Sequence, residues 1–136
     1  MYLGRIAPLL PGGGKSSIAA PVYKSEAALW EAIDRERART PAMIVLLDER
    51  GRAMTSQQFA AWLGRERDEG RQRIVFAIGP ADGWPAASKK RADLLLSLGA
   101  MTLAHELARV VLCEQLYRAL TILAGHPYHR AGDRTQ

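Results

Sequence analysis

The stretch Ala42–Gly79, AMIVLLDERGRAMTSQQFAAWLGRERDEGRQRIVFAIG, decides the fold. It opens on "AMIVLLD" (Ala42–Asp48), an unbroken apolar run that ends in an acid. A half-exposed strand would alternate apolar and polar residues, whereas an unbroken run marks a strand covered on both faces. "RIVFAIG" (Arg73–Gly79) repeats that pattern. Between the two, "TSQQFAAWLGRERDEG" (Thr55–Gly70) reads as a helix, with Thr55 or Ser56 as its N-cap and Gly70 beyond its end. A buried strand, a helix and a second buried strand in succession predict a parallel pair with a crossover helix.

The same alternation extends downstream. "GPADGWPAAS" (Gly79–Ser88) is a glycine- and proline-rich loop, and a helix is predicted over Pro85–Leu98. "AMTLA" (Ala100–Ala104) is expected as a third strand. A last helix runs from near Glu106 to Ala124, with Gly125 and Pro127 as stop signals. Upstream the pattern is weaker. "SSIAAPVYK" (Ser16–Lys24) suits one strand and "SEAALWEAIDRERA" (Ser25–Ala38) a helix, but "MYLGRIAPLLPGGGK" (Met1–Lys15) suits neither. The expectation is one α/β domain over residues 1–136, with a mostly parallel sheet and flanking helices. Residues 1–40 form its divergent N-terminal region and residues 131–136 a polar tail.

Composition narrows the function classes. The 136 residues are 48% apolar, enough for a real core and against a disordered chain. Cys113 is the lone cysteine, so no intramolecular disulfide forms, which fits a reducing cytoplasm. No leader peptide is evident, and no apolar run approaches the roughly 18 residues of a membrane span, so no membrane partner is expected. A formal charge of +5 favours a polyanionic partner, nucleic acid above all.

Several tempting motifs fail on spacing. "GGGKSS" (Gly12–Ser17) suggests a phosphate loop, but the glycine that pattern requires falls on Leu9. A flexible surface loop is the better reading. His126 and His129 in "GHPYHR" stand three apart, yet Pro127 bars a regular helix across them and no nearby cysteine or carboxylate completes a metal set. No metal is therefore expected. Cys113 lies mid-helix, and no nucleophile-elbow sequence is present.

Sheet topology is more informative. Ligands of open parallel sheets bind beyond the carboxyl ends of the strands. Those ends are expected at Leu47-Asp48-Glu49, at Gly79 to Gly83 and at Thr102 to His105, where His105 could simply cap the last helix. That last helix is apolar nearly all round, with Val110, Cys113, Tyr117 and Leu120 on one side and Leu112, Leu116, Ala119 and Leu123 on the other. A helix of this kind must be covered on two sides: its own sheet can cover one and a second subunit is the natural cover for the other, which makes a homodimer the expectation and a helix enclosed within its own domain the alternative. Glu114 and Arg118 form a favourable i,i+4 pair on its polar strip.

Three segments, in this order and spacing, carry a resemblance. "LDERGRAMTSQQFA" (Leu47–Ala60), "FAIGPADG" (Phe76–Gly83) and above all "LSLGAMTLAHELARVVLCEQLYRALTILAGHPYHR" (Leu96–Arg130) resemble the ribosomal RNA large subunit methyltransferase H family, a group of small SPOUT-class enzymes. The resemblance implies an S-adenosyl-L-methionine-dependent methyltransferase that modifies N3 of a pseudouridine in 23S rRNA, on the ribosome. It also implies a homodimer whose C-terminal segment closes a trefoil knot. Carried over by position, the cofactor contacts are Leu47, Gly79, Leu98, Gly99, Ala100, Met101, Thr102 and Leu103. Arg118, Tyr128, His129 and Arg130 are the expected substrate-binding residues, and no single catalytic base is assigned. The chain departs from the family at Gly79-Pro80-Ala81, where Gly-Gly-Pro is common, and at Gly99-Ala100 and Ala104. "MYLGRIAPL" resembles the end of the family's first helix, so the first strand, about twenty residues, is expected to be missing and a sheet edge exposed. A knotted RNA-binding dimer without turnover is the alternative that this departure implies.

Overall fold

The apolar run that opens at Met43 buries both of its faces. In the computed structural model, which describes residues 25–37, 41–71, 73–79, 83–99 and 101–125, strand β1 spans Met43–Ala53. Alternate side chains leave a strand on opposite sides. Met43 and Val45 enter one apolar cluster and Ile44 and Leu46 the other. Val45 and Leu46 have no solvent exposure at all. Burying each contributes roughly 1.5–3 kcal/mol.

β1 is the middle strand of a three-stranded sheet among the described residues, in the order β2-β1-β3, with β2 at Ile74–Ile78 and β3 at Leu94–Ser97. Both pairings are parallel, Met43 facing Ile74 and Val45 facing Leu94. Helix α1 (Glu26–Arg37) covers one face of the sheet through Trp30 and Ile33. Helix α2 (Ser56–Asp68), joined by α4 (His105–Leu123), covers the other through Phe59, Trp62, Leu116 and Ala119. The short α3 (Ala86–Arg91) precedes β3.

α2 begins where its sequence signals it. Thr55 accepts a hydrogen bond from the Gln58 amide, and the Gln58 side chain accepts one from the Thr55 amide, a reciprocal capping box. Gly64 of α2 packs directly on the Leu123 side chain of α4, and a Cβ there would have to displace the end of that side chain.

Two expectations about elements are corrected. The helix expected over Pro85–Leu98 stops at Arg91, and the third strand is Leu94–Ser97 rather than Ala100–Ala104. Asp93 decides the break: its amide donates to the Ile44 carbonyl at 2.8 Å and its carboxylate accepts from the Ile44 amide at 2.7 Å. That double bond to β1 diverts the chain into the sheet. Met101, expected inside a buried strand, is 82% exposed on a loop. The strand expected within Ser16–Lys24, the "GGGKSS" loop, Ala100 and the tail beyond Gly125 lie outside the described residues.

Candidate functional site

At the carboxyl end of β1 the strand leaves its ladder. Leu47 pairs with Leu96, and so does Arg52, so Asp48, Glu49, Arg50 and Gly51 between them bulge out from β3. Bulges of this kind re-aim side chains beside functional sites. Gly51 makes the excursion possible, because a Cβ there would stand 2.5 Å from the Leu95 carbonyl oxygen.

The bulge is fastened at several points. Asp48 Oδ1 accepts from the Arg50 amide at 2.8 Å, and Lys89 of α3 approaches Asp48 Oδ2 at 3.2 Å. The Arg50 amide holds the Asp48 carboxyl below its ordinary value; burial pushes the other way, and Lys89 adds to the lowering. Ser97, at the end of β3, donates to the Glu49 carbonyl at 3.2 Å.

The loop after β3 crosses over these strand ends. Gly99 takes a φ of +141°, open to glycine, and its amide donates to Ser97 Oγ. Thr102 Oγ1 donates to Glu49 Oε2 at 2.8 Å, tying the loop to β1. His105, the first residue of α4, places Nε2 3.3 Å from the Ile78 carbonyl and so ties the loop's far end to β2. A carbonyl only accepts, so this contact puts the imidazole proton on Nε2. Between the two ties lie Leu103, half-buried, and Ala104, exposed.

Trp84 is the residue that sequence reading missed. Its indole N–H donates to the Leu47 carbonyl at 3.1 Å, and a Cβ on Gly79 would lie 2.5 Å from its ring. One buried side chain thus spaces the ends of β1 and β2. Its position directly after Gly83 in a strand-end loop was the available signal. The links from Asp48 to Lys89 and from Glu49 to Thr102 were likewise invisible, because the partners are distant in sequence.

The sequence-derived site residues therefore divide. Leu47, Gly79, Leu98, Gly99, Met101, Thr102 and Leu103 converge on one set of strand ends. β3 ends at Ser97, so the third strand end lies there rather than at Thr102 to His105 as expected, and Leu98 to Leu103 follow it. A cavity of about 340 Å³ opens beside Leu98 and Gly99, lined also by Met54, Phe59, Leu96 and Gln115. Of the sequence-derived cofactor contacts only Leu98 and Gly99 line it; Leu47, Gly79, Met101, Thr102 and Leu103 do not. Arg118 sits apart: its guanidinium bonds Glu114 at 2.9 Å along α4. Ala100, Tyr128, His129 and Arg130 lie outside the described residues. No group of three or more potential metal ligands occurs among the described residues.

Residues 14–129 match the family described as "Predicted SPOUT methyltransferase". The ribosomal RNA large subunit methyltransferase H of Koribacter versatilis is 56% identical over 105 residues, covering 77% of this chain and 71% of that protein. The chain belongs to this family of SPOUT methyltransferases.

The protein of the same designation from Brucella ovis is 48% identical over 118 residues, covering 82% of this chain and 70% of its own length. A solved structure, the SpoU methyltransferase AviRb of Streptomyces viridochromogenes in complex with AdoMet, aligns with a TM-score of 0.44 and 19% identity. That alignment covers 81% of this chain and 38% of AviRb. The α/β architecture with a parallel sheet flanked by helices is the one expected for a SPOUT methyltransferase.

Proposed function

We propose that this chain is an S-adenosyl-L-methionine-dependent methyltransferase acting on 23S rRNA, with N3 of a pseudouridine in the large subunit as the methylated atom. Family membership supplies the reaction class. The structural observation that supports the reading is the double tether of the chain entering α4, through Thr102 to Glu49 and through His105 to Ile78. It holds Thr102 and His105 against the ends of β1 and β2, and the exposed Met101 directly precedes the first of these ties.

These residues suit the cofactor's chemistry. Backbone amides at such a loop read the polar edge of an adenine, and Leu98, Met101 and Leu103 offer apolar cover for its ring. When bound, S-adenosyl-L-methionine supplies a methyl group already activated by its sulfonium. The chain is then left with positioning and with removal of one imide proton. Leu47, Gly79 and Leu98 to Leu103, Ala100 included, are the proposed cofactor-binding residues. Tyr128 would stack on the target base, His129 would orient it, and Arg130 and Arg118 would hold phosphates. No residue is assigned as the base. A cytoplasmic setting follows from a ribosomal substrate.

A homodimer belongs to the same proposal. Leu107 and Val110 on α4 are 50% and 51% exposed, an apolar pair that a second copy would cover.

Incubation with radiolabelled cofactor and ribosomes lacking the modification tests the reading. Label in 23S rRNA is expected; its absence, with no heat on calorimetric titration of the cofactor, would leave a knotted binding dimer instead. Arg130→Ala is expected to slow methyl transfer while cofactor affinity stays within about twofold, since a phosphate contact does not touch the donor.

A further inference from the structure

Basic side chains near the site sort into those already neutralised and those left over. Lys89 is paired with Asp48, Arg91 with Asp34 while lying over the Trp30 ring, and Arg118 with Glu114. Farther along α2, Arg67 meets Asp68 and Arg71 meets Glu66. Arg50 and Arg52 are different. Both are exposed, and neither comes within ion-pair distance of a carboxylate among the described residues, although the Arg50 charge is felt at Asp48.

Their place is set by the bulge. Arg50 directly follows Glu49, which holds Thr102 of the cleft loop; Arg52 faces Leu96, two residues before Leu98. The backbone beneath them is fixed by the Asp48–Arg50 bond, by Ser97 on the Glu49 carbonyl and by the close seat of Gly51 on Leu95. A bulge so fastened holds two guanidinium groups at the rim of the candidate cofactor cleft at little further cost in backbone entropy. Guanidinium groups match phosphate geometry, and phosphate contacts set register without reading sequence.

We infer that Arg50 and Arg52 form a phosphate-binding edge that seats the RNA backbone beside the methyl-donor cleft. The inference rests on the RNA-methyltransferase reading but is tested apart from it. Binding of a fluorescein-labelled, unmodified 23S rRNA transcript is followed by anisotropy over a range of KCl, for wild type, R50Q/R52Q and R35Q/R65Q. Gln at position 50 keeps the backbone N–H that Asp48 needs. Arg35 and Arg65 are exposed on α1 and α2, so their loss removes the same charge elsewhere.

Each neutralised phosphate contributes about 0.7–0.9 to the log–log salt slope. R50Q/R52Q is therefore expected to flatten the slope by roughly 1.4–1.8 and to weaken RNA binding, with the cofactor Kd and Tm unchanged. R35Q/R65Q is expected to keep the wild-type slope. R52Q alone, should the double variant unfold, is expected to give about half the change. An unchanged slope in R50Q/R52Q, or an equal loss in R35Q/R65Q, overturns the inference. Wild type that transfers no methyl group, with the slope still dependent on Arg50 and Arg52, overturns the enzyme reading and upholds this one.

Discussion

Gly51 and Gly79 mark positions where a single methyl group alters the site, each for its own reason. A Cβ on Gly51 meets the backbone of Leu95, which is held in the sheet and cannot yield. Gly51→Ala is therefore expected to destabilise the chain by about 1–3 kcal/mol, read as a lowered Tm. At Gly79 the obstacle is the ring of Trp84, whose loss of place also frees the Leu47 carbonyl. Gly79→Ala should change the near-ultraviolet circular dichroism of the tryptophans and weaken cofactor binding by calorimetry. Asp48 adds a dependence on pH. Its folded-state pKa lies below the ordinary 3.8, so the stabilisation is fully present above that value and is lost as pH falls through the lower, folded one. Asp48→Asn should melt below wild type at pH 7, and the gap should close in acid; a gap independent of pH would show that the charge is irrelevant.

At the scale of elements, the capped helix and the outward face of α4 make separate predictions. Removing the reciprocal cap with Thr55→Ala is expected to cost about 1 kcal/mol, measured by urea unfolding. On α4 the sequence pattern left two apolar sides open, and the structure distinguishes them. Leu116 packs with Leu123 and Ala119 against the sheet and α2, so Leu116→Asp would unfold the domain rather than dissociate a dimer. Leu107 and Val110 are the residues that face outward. Leu107→Asp with Val110→Asp should lower the sedimentation coefficient to that of a monomer while helical circular dichroism persists. Retention of the dimer would locate its interface elsewhere.

For the molecule as a whole, the candidate cleft is a property of the sheet's closure and of no one segment. Three chain segments far apart in sequence meet there: the β1 bulge, the loop led by Trp84, and the stretch from Leu98 to His105. They are joined by side-chain bonds spanning 27 to 53 residues, from His105 to Ile78, Leu47 to Trp84 and Glu49 to Thr102. Such bonds form only after the sheet has assembled. Variants at the buried positions of β1, Val45 and Leu46, are thus expected to affect both stability and cofactor affinity, whereas variants at Leu98, Met101 or Leu103 should affect affinity with little change in Tm.

The order of strand, capped helix and strand from Ala42 to Gly79 was legible in the sequence, but only β1 is buried on both faces: the equally unbroken run of β2 lies at the sheet edge among the described residues and is half-buried apart from Ala77. The carboxyl ends of the first two strands, at Leu47 and Gly79, followed from that order. The third strand was not legible: Leu94–Leu96 is too short for periodicity to separate strand from helix, and only the Asp93 bonds to Ile44 decided it. Nor could sequence spacing reveal the bulge, the Trp84 bridge or which arginines near the cleft are already paired with carboxylates. Each depends on which distant groups come within a few ångströms, and that distance is set by the packed sheet alone.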